Sequence, residues 1–268
     1  MIGSLVSACI RIVRPAYLPA SRAAARMWDR RLGIMTGDED VARELRRARG
    51  EDRLYSFGAI SYLGMRRLMR RLEPTRKDVL LDMGCGAGRA TCVAAQYPFS
   101  RVIGIDIDER LCALAQHNAR RLRRCTVRPE IVHADATTYH VPDDVTVVFL
   151  YNPFRGEVLE SALTRVLESF DRKPRRLRLA YANPREHALV ESMRRFRAAE
   201  TLWLSWRPEA AWHRTKVVQF YEVEPADSRG QRTVPDGGCL QQQALAENIH
   251  PAFFLAATCN VFDYFITH

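Results

Sequence analysis

A short segment of alternating glycines constrains the fold of this chain more than any other feature. Residues Asp82–Ala90 read DMGCGAGRA, and they directly follow the apolar run Val79–Leu81. Gly84, Gly86 and Gly88 stand at every second position of the segment. An apolar run followed by glycines and a helix-forming stretch predicts a strand, a loop and a helix, with loop backbone that can approach a ligand closely.

Strand-like and helix-like segments alternate on both sides of this loop. The strand candidates are residues 78–84, 101–108, 126–135, 145–153, 176–184, 201–207 and 216–224. Helical patterns separate most of them, which predicts a parallel sheet with helices on both faces. No long helix separates the last two candidates, which predicts an antiparallel hairpin at one edge. The expected fold class is therefore α/β, a doubly wound, mostly parallel seven-stranded sheet.

Composition divides the chain into three parts. Residues 1–50 form a basic, weakly patterned extension, residues 51–225 form the patterned domain, and residues 226–268 form a polar and then apolar tail. The net charge is +10, and most of the basic residues are arginines scattered along the chain. None of the seven cysteines is spaced as Cys-x-x-Cys, which argues against a disulfide framework and a zinc site. We expect a cytoplasmic protein that holds no metal and has no membrane span.

The spacing of the loop separates its possible ligands. A phosphate-binding Walker loop ends in Gly-Lys-Ser/Thr, whereas Gly88 is followed here by Arg89 and Ala90. Dinucleotide loops read Gly-x-Gly-x-x-Gly, one residue longer than the spacing in this chain. Asp82 precedes the first glycine by two positions, where a carboxylate suits a cationic ligand and would repel a pyrophosphate.

Two further acids follow the next two strands. Asp106 ends the second strand candidate, where a carboxylate can accept hydrogen bonds from ribose hydroxyls. Asp135 follows the third strand candidate, at the same edge of the sheet, where it could meet an adenine amino group. Asp106 alone fits a nicotinamide cofactor as well as an adenosyl sulfonium.

Taken together, the loop, Asp106 and Asp135 resemble the class I S-adenosylmethionine (SAM)-dependent methyltransferases. The resemblance covers about residues 55–224, and it includes the reversed last strand of that family's seven-stranded sheet. It implies that SAM is the cofactor, although a Rossmann-like domain for another nucleotide is the alternative. Tyr55 and Tyr62 stand where family members often have a lid over the cofactor, and packing is the other interpretation of both.

The resemblance also implies a role for each residue of the cofactor site. The three glycines would line the methionine part of SAM, and Asp82 would hold its ammonium group, directly or through water. Asp106 would bind the ribose and Ile107 would form an apolar wall for the adenine ring. Cys85 lies in the loop near the sulfonium and is interpreted as a small filler rather than a nucleophile. The predicted cofactor set is Asp82, Gly84, Cys85, Gly86, Gly88, Asp106, Ile107, Asp135 and Ala136.

The predicted catalytic residues are Asn152, Pro153 and Phe154, which end the fourth strand. They resemble the Asn-Pro-Pro-Tyr turn of amino-group methyltransferases, with one proline fewer and phenylalanine in place of tyrosine. In that motif the asparagine oxygen and a carbonyl oxygen accept hydrogen bonds from the target nitrogen, and the aromatic ring stacks on the substrate. A plain strand-ending turn is the alternative interpretation. Asn183-Pro184 is a similar pair, interpreted first as a turn.

Three functions remain open on the sequence. The leading hypothesis is a SAM-dependent methyltransferase that acts on nitrogen, with a protein side chain or a small amine as its acceptor. An RNA methyltransferase is the second; the positive charge favours it, but the sequence shows no separate RNA-binding module and no interleaving of aromatic and basic residues. The third is a SAM-binding scaffold without activity, which the complete set of cofactor acids disfavours.

Overall fold

The structure is a computed structural model, and it describes residues 22–36, 59–204 and 217–226. The helices of these residues are α1 (22–32), α2 (Tyr62–Leu72), α3 (Arg89–Ala94), α4 (Glu109–Arg121), α5 (Gly156–Arg172) and α6 (His187–Ser192). The strands are β1 (Val79–Met83), β2 (Arg101–Asp106), β3 (Glu130–His133), β4 (Val147–Tyr151), β5 (Arg178–Ala182), β6 (Phe196–Trp203) and β7 (Val217–Val223).

The strands form one seven-stranded sheet in the order β3-β2-β1-β4-β5-β7-β6. Strands β1 to β5 pair in parallel, and β7 pairs antiparallel with both β5 and β6. The predicted fold class, including the antiparallel hairpin at one edge, is therefore confirmed. The prediction that the third strand lies at an edge is also confirmed, because β3 ends the sheet and follows Pro129 directly.

Two apolar layers bury the two faces of the sheet. Alternate residues of β4 face opposite layers: Val147 and Phe149 pack with α2 and α3, whereas Val148 and Leu150 pack with α5. This alternation is the two-residue period of a strand that is covered on both sides. It explains why the β4 sequence is almost continuously apolar.

The boundary between α6 and β6 differs from the sequence-based expectation. The pattern predicted a helix over residues 185–196 and a strand from residue 201. Instead α6 ends at Ser192, Arg194 has a left-handed backbone with φ 55°, and β6 begins at Phe196. Phe196 is buried in the core, and Arg197 forms ion pairs with glutamates of the β7 side. Long-range pairing with β7 thus outweighed the local helical pattern.

Part of the predicted N-terminal extension contacts the domain. Helix α1 places Leu32 in the core beside α2 and α3, and the backbone N–H of Arg123 donates to the carbonyl of Leu32 at 2.9 Å. The division of the chain at residues 50 and 225 stays a prediction, and residues 227–268 of the predicted tail lie outside the described residues. None of the helices that the structure describes is both long and apolar enough to cross a bilayer.

Candidate functional site

The glycine loop connects β1 to α3 and is anchored on the end of β2. Gly84, Gly86 and Gly88 have left-handed backbone, with φ of 80°, 55° and 81°. The N–H groups of Gly84 and Cys85 both donate to the carbonyl of Ile105, at 2.9 Å each. Residues with a Cβ rarely adopt such backbone, so the glycines are what allows three turns of this kind within five residues.

Gly84 and Gly88 differ in what approaches them. A Cβ on Gly84 would stand 2.5 Å from Cβ of Pro153, whereas one on Gly88 would stand 3.1 Å from Cβ of Ala115 in α4. Gly84 therefore allows the turn after β4 to approach the loop. Gly88 allows close packing of α3 and α4, which is a different use from the methionine contact predicted for it.

Asp106 joins the loop to the end of β2. Its Oδ2 accepts the N–H of Gly86 at 2.8 Å, and its Oδ1 accepts the N–H of Asp108 at 2.9 Å. Each carboxylate oxygen has a second acceptor site beyond these bonds. Asp106 thus orders the loop and can still accept hydroxyl groups of a ligand.

Asp82 is a buried carboxyl in β1, directly before the loop. It is 2% exposed, and its Oδ2 has no hydrogen-bond partner among the described residues. Burial, together with the negative charge of Asp106, raises the pKa of Asp82 to about 8; the backbone N–H of Thr91 opposes this shift. A buried acceptor without a donor is costly, so this oxygen fits a cationic group that would lower the pKa again.

The remaining predicted cofactor residues lie along the same edge. Cys85 packs its sulfur against the backbone of Gly104 in β2, where a Cβ on Gly104 would be 3.0 Å from it, and burial raises the pKa of the Cys85 thiol. This placement agrees with the filler interpretation. Ile107 is 48% exposed and open to a ligand, whereas Ala136 is buried in the α5 layer.

Asp135 lies in an exposed turn after β3. Its Oδ1 accepts both the N–H and the hydroxyl of Thr137, at 2.8 Å each. These bonds fix the orientation of the carboxylate and leave its other oxygen available. The structure therefore places Asp106 and Asp135 at the ends of neighbouring strands, as the sequence predicts.

The turn after β4 lies against the glycine loop. Asn152 is 4% exposed and has a left-handed backbone with φ 48°. Pro153 contacts Gly84, and the Phe154 ring would lie 3.8 Å from a Cβ on that glycine. All three predicted catalytic residues therefore stand next to the loop predicted to hold the cofactor.

Tyr181 of β5 is a site residue that sequence reasoning missed. Its hydroxyl donates to Oδ1 of Asn152 at 3.1 Å, and it accepts the N–H of Glu186 at 3.4 Å. Tyr181 is fully buried, and burial raises its pKa to about 12. The aromatic residue two positions before Asn183 was visible in the sequence, but its partner on another strand was not.

A second set of missed residues fastens the N-terminal segment beside the loop. Asn118 of α4 donates to the carbonyls of Met35 and Ala87, at 2.8 and 2.9 Å, and accepts the N–H of Met35 at 2.8 Å. Arg89, the first residue of α3, donates to the hydroxyl of Thr36 at 2.7 Å. The segment is thereby bonded to the backbone of the loop itself.

Tyr62 belongs to this N-terminal contact. It is 3% exposed, its hydroxyl donates to Asp29, and its ring stacks on Trp28 with centroids 5.8 Å apart. Burial raises its pKa. Tyr62 is thus packed under α1, and Tyr55, the other residue of the predicted lid, lies outside the described residues.

The strand order, the glycine loop and the two acids together define a Rossmann-like nucleoside-binding domain. Residues 80–173 match the family described as "Methyltransferase domain". The central part of the chain is therefore a methyltransferase domain of the class I type, whose cofactor is SAM. The match contains most of the site, from Asp82 to Phe154.

Two curated relatives match this same central region. The ribosomal protein L11 methyltransferase of Burkholderia mallei is 37% identical over 91 residues, which are 33% of this chain and 27% of that protein. The ribosomal RNA small subunit methyltransferase H of Sorangium cellulosum is 40% identical over 76 residues, 28% of this chain and 23% of that protein. The chain thus spans about a quarter of the length of these relatives.

Solved structures similar to the chain include two bacterial methyltransferases. An RNA methyltransferase from Salinibacter ruber in complex with S-adenosylhomocysteine (SAH) has a TM-score of 0.45 and 18% identity, and the alignment covers 68% of this chain and 98% of that chain. A TehB-like SAM-dependent methyltransferase from Corynebacterium glutamicum has a TM-score of 0.44 and 17% identity, with 69% and 97% covered.

Proposed function

We propose that this protein is a SAM-dependent methyltransferase that acts on a nitrogen atom. The observation that carries the proposal is the contact between Pro153 and Gly84, because it holds the Asn152 turn against the loop of the cofactor site. Methyl transfer is mainly a problem of alignment between nucleophile and methyl donor. A turn seated on the loop is suited to that task.

The residues of the loop edge fit SAM by their chemistry. When bound, SAM supplies a methyl group on a sulfonium, which a nitrogen lone pair can attack. Asp82 offers its unpartnered Oδ2 to the ammonium group, and Asp106 offers its remaining acceptor sites to the ribose hydroxyls. Asp135 keeps one carboxylate oxygen for the adenine edge.

Asn152 orients the acceptor nitrogen in this proposal. Its side-chain oxygen receives the hydroxyl of Tyr181 and has a second lone pair that can accept an N–H of the substrate. Accepting that hydrogen bond aims the nitrogen lone pair away from Asn152 and towards the loop. Tyr181 acts as a positioning residue, because it touches Asn152 rather than the substrate.

The acceptor expected from the sequence is a protein side chain or a small amine, and this stays a prediction. RNA is the second candidate, and a basic groove that contains Trp28 favours it, as argued below. The curated relatives are named for ribosomal protein and ribosomal RNA, which supports keeping both classes of acceptor.

The fate of a labelled methyl group tests the proposal. The protein is incubated with methyl-labelled SAM and fractionated cell extract, with and without nuclease or protease treatment of the products. We expect label that one of these treatments releases, or label in a small amine that resists both. SAH binding without transfer to any fraction would instead support the scaffold function.

A carboxylate substitution tests the cofactor site separately. Asp106→Asn removes the charge that ribose hydroxyls would meet and weakens the bond to Gly86, so SAH affinity should fall about a hundredfold. Asp144→Asn is the matched control, because Asp144 is exposed and pairs with Arg101 at the other end of β2. Calorimetry with SAH measures both variants, and unchanged affinity of Asp106→Asn would contradict the predicted role of Asp106.

A further inference from the structure

A groove that combines arginines with a tryptophan lies beside α1. It has a volume of about 390 Å³, and we call it the tryptophan groove. Its principal lining residues are Trp28, Arg31, Arg66, Gln96, Arg123 and Arg124. They come from α1, α2, the end of α3 and the segment after α4, so no stretch of sequence shows the groove.

Aromatic contacts hold two of the arginines in place. The guanidinium carbon of Arg66 lies 5.0 Å from the centre of the Trp28 ring, and that of Arg31 lies 5.9 Å from it. Tyr62 stacks on the same tryptophan. Cation–π contact fixes a guanidinium while it leaves N–H groups at the edge of the guanidinium plane available for an anion.

The other two arginines are brought in by the backbone. The N–H of Arg123 donates to the carbonyl of Leu32 at 2.9 Å, and a Cβ on Gly33 would be 3.2 Å from Nε of Arg123. Gly33 has φ 75°, so the chain turns here with no side chain between α1 and Arg123. Arg124 follows directly and is exposed.

The positive charge of the groove is not balanced locally. Ion pairs within the described residues use other arginines, such as Arg71 with Glu200 and Arg101 with Glu130. Asp29, the acid on α1, accepts hydrogen bonds from Thr36 instead. Four converging guanidiniums repel one another in the absence of an anion, so the arrangement fits a polyanionic partner.

We propose that the tryptophan groove binds single-stranded RNA, with the arginines on its phosphates and an unstacked base at Trp28. Single strands are recognised by this combination of guanidinium planes and aromatic rings, whereas a recessed tryptophan cannot reach the bases of a duplex. The aromatic and basic interleaving that the sequence lacks is thus formed in space. The inference rests on the proposed function and deepens it, since it names RNA as the substrate class.

Binding of a labelled RNA tests the proposal. The full chain is titrated into a fluorescent, unstructured 20-nucleotide RNA, and anisotropy is measured from 50 to 200 mM salt. Arg31→Gln/Arg66→Gln should weaken binding roughly tenfold and lower the slope of log K against log salt by about 1.4, since each single-strand phosphate contact contributes about 0.7. Arg176→Gln/Arg194→Gln removes the same charge next to the opposite helical layer, and it should change affinity less than about threefold.

Further arms separate the alternatives. Arg123→Gln/Arg124→Gln repeats the test without disturbing the Trp28 contacts, in case the first variant fails to fold. Equal losses in the groove and control variants, or equal affinity for a DNA duplex of the same length, would overturn the proposal. So would binding to anionic lipid vesicles in place of RNA.

SAH calorimetry on the same samples separates the two proposals. Both groove variants should bind SAH as the unmodified protein does. SAH binding without RNA binding would refute only the groove, whereas RNA binding without SAH binding would refute the proposed methyltransferase function.

Discussion

The chain ends two neighbouring strands with the same dipeptide, Asn-Pro, and the structure gives the two copies different surroundings. Both asparagines have left-handed backbone, with φ 48° at Asn152 and 54° at Asn183. The Asn152 side chain is bonded to Tyr181, and Pro153 lies against Gly84. As a local conformation the two turns are nearly alike, but only one of them contacts the glycine loop.

The second turn serves the sheet instead. The N–H of Asn183 donates to the carbonyl of Val217 in β7 at 2.9 Å, and its own carbonyl accepts the N–H of Arg185 at 2.8 Å. The difference follows from strand order: β4 lies next to β1, which leads into the loop, whereas β5 lies between β4 and the reversed β7. Position in the sheet, rather than the dipeptide, decides which turn can take part in chemistry.

The largest expected effect comes from separating the first turn from the loop. Gly84→Ala would place a Cβ 2.5 Å from Pro153 at a backbone φ of 80°, so we expect a loss of about 2–5 kcal/mol in stability and of nearly all turnover. Gly156→Ala is the control, because Gly156 has φ 47° but nothing within 4 Å, and it should cost only about 1–2 kcal/mol. Chemical denaturation and labelled methyl transfer measure both. Equal effects of the two variants would show that the contact with Pro153 is unimportant.

Removing each asparagine side chain compares the two turns directly. Asn152→Gly keeps the left-handed backbone and deletes the acceptor oxygen, so turnover should fall about a hundredfold while SAH affinity is kept. Asn183→Gly makes the same change at the turn away from the loop and should alter turnover less than about twofold. Steady-state kinetics with SAH calorimetry provide the measurement. Normal turnover in Asn152→Gly would reduce the first turn to a structural role.

A smaller effect is expected from the hydroxyl that holds Asn152. Tyr181→Phe removes one hydrogen bond, worth about 1 kcal/mol, and should lower kcat about fivefold with the KM for SAM unchanged. Tyr221→Phe is the matched control, because Tyr221 is also fully buried and its hydroxyl bonds His187 rather than the site. If both variants lose stability equally but neither changes kcat, Tyr181 does not position Asn152.

The smallest expected effect concerns protons at the loop side of the contact. With a pKa of about 8, Asp82 is mostly neutral at pH 7, and an ammonium ligand would favour its ionised form. SAH binding at pH 7 should then release close to one proton, measured by calorimetry in buffers of different ionisation enthalpy. Asp82→Asn should release none. Equal proton release by the two proteins would exclude Asp82 as the ammonium partner.

The same shift predicts how stability depends on pH without ligand. The pKa of Asp82 is raised above its ordinary value of 3.8, so the folded protein holds a proton that the unfolded chain loses above about pH 4. Its contribution to stability is complete below pH 4 and is lost as the pH rises towards 8. Asp82→Asn should remove this decline in urea unfolding.

The sequence predicted most of the architecture because local patterns encode it. The apolar run of β4, the alternation of strands and helices and the edge position of β3 all follow from which residues must be buried. The error at α6 and β6 has a long-range cause, since Phe196 and Arg197 reach the core and the β7 side only after the sheet has formed. A window of sequence contains neither partner.

The candidate site divides in the same way. Motif spacing placed the loop, Asp106 and Asp135 at one edge, because the carboxyl ends of parallel strands meet there. Spacing said nothing of Tyr181 or Asn118, whose partners lie 29 and 83 residues away in the chain. The individual roles of the cofactor and catalytic residues stay predictions.

By itself, the sequence determined the sheet, the glycine loop and the acids that flank it, because backbone freedom, burial and charge are properties of single residues and short spacings. Only the tertiary structure decided which Asn-Pro turn meets the loop and that four arginines converge on one tryptophan. Those outcomes depend on distances between elements far apart in the chain, which strand order and helix packing set once the core is closed.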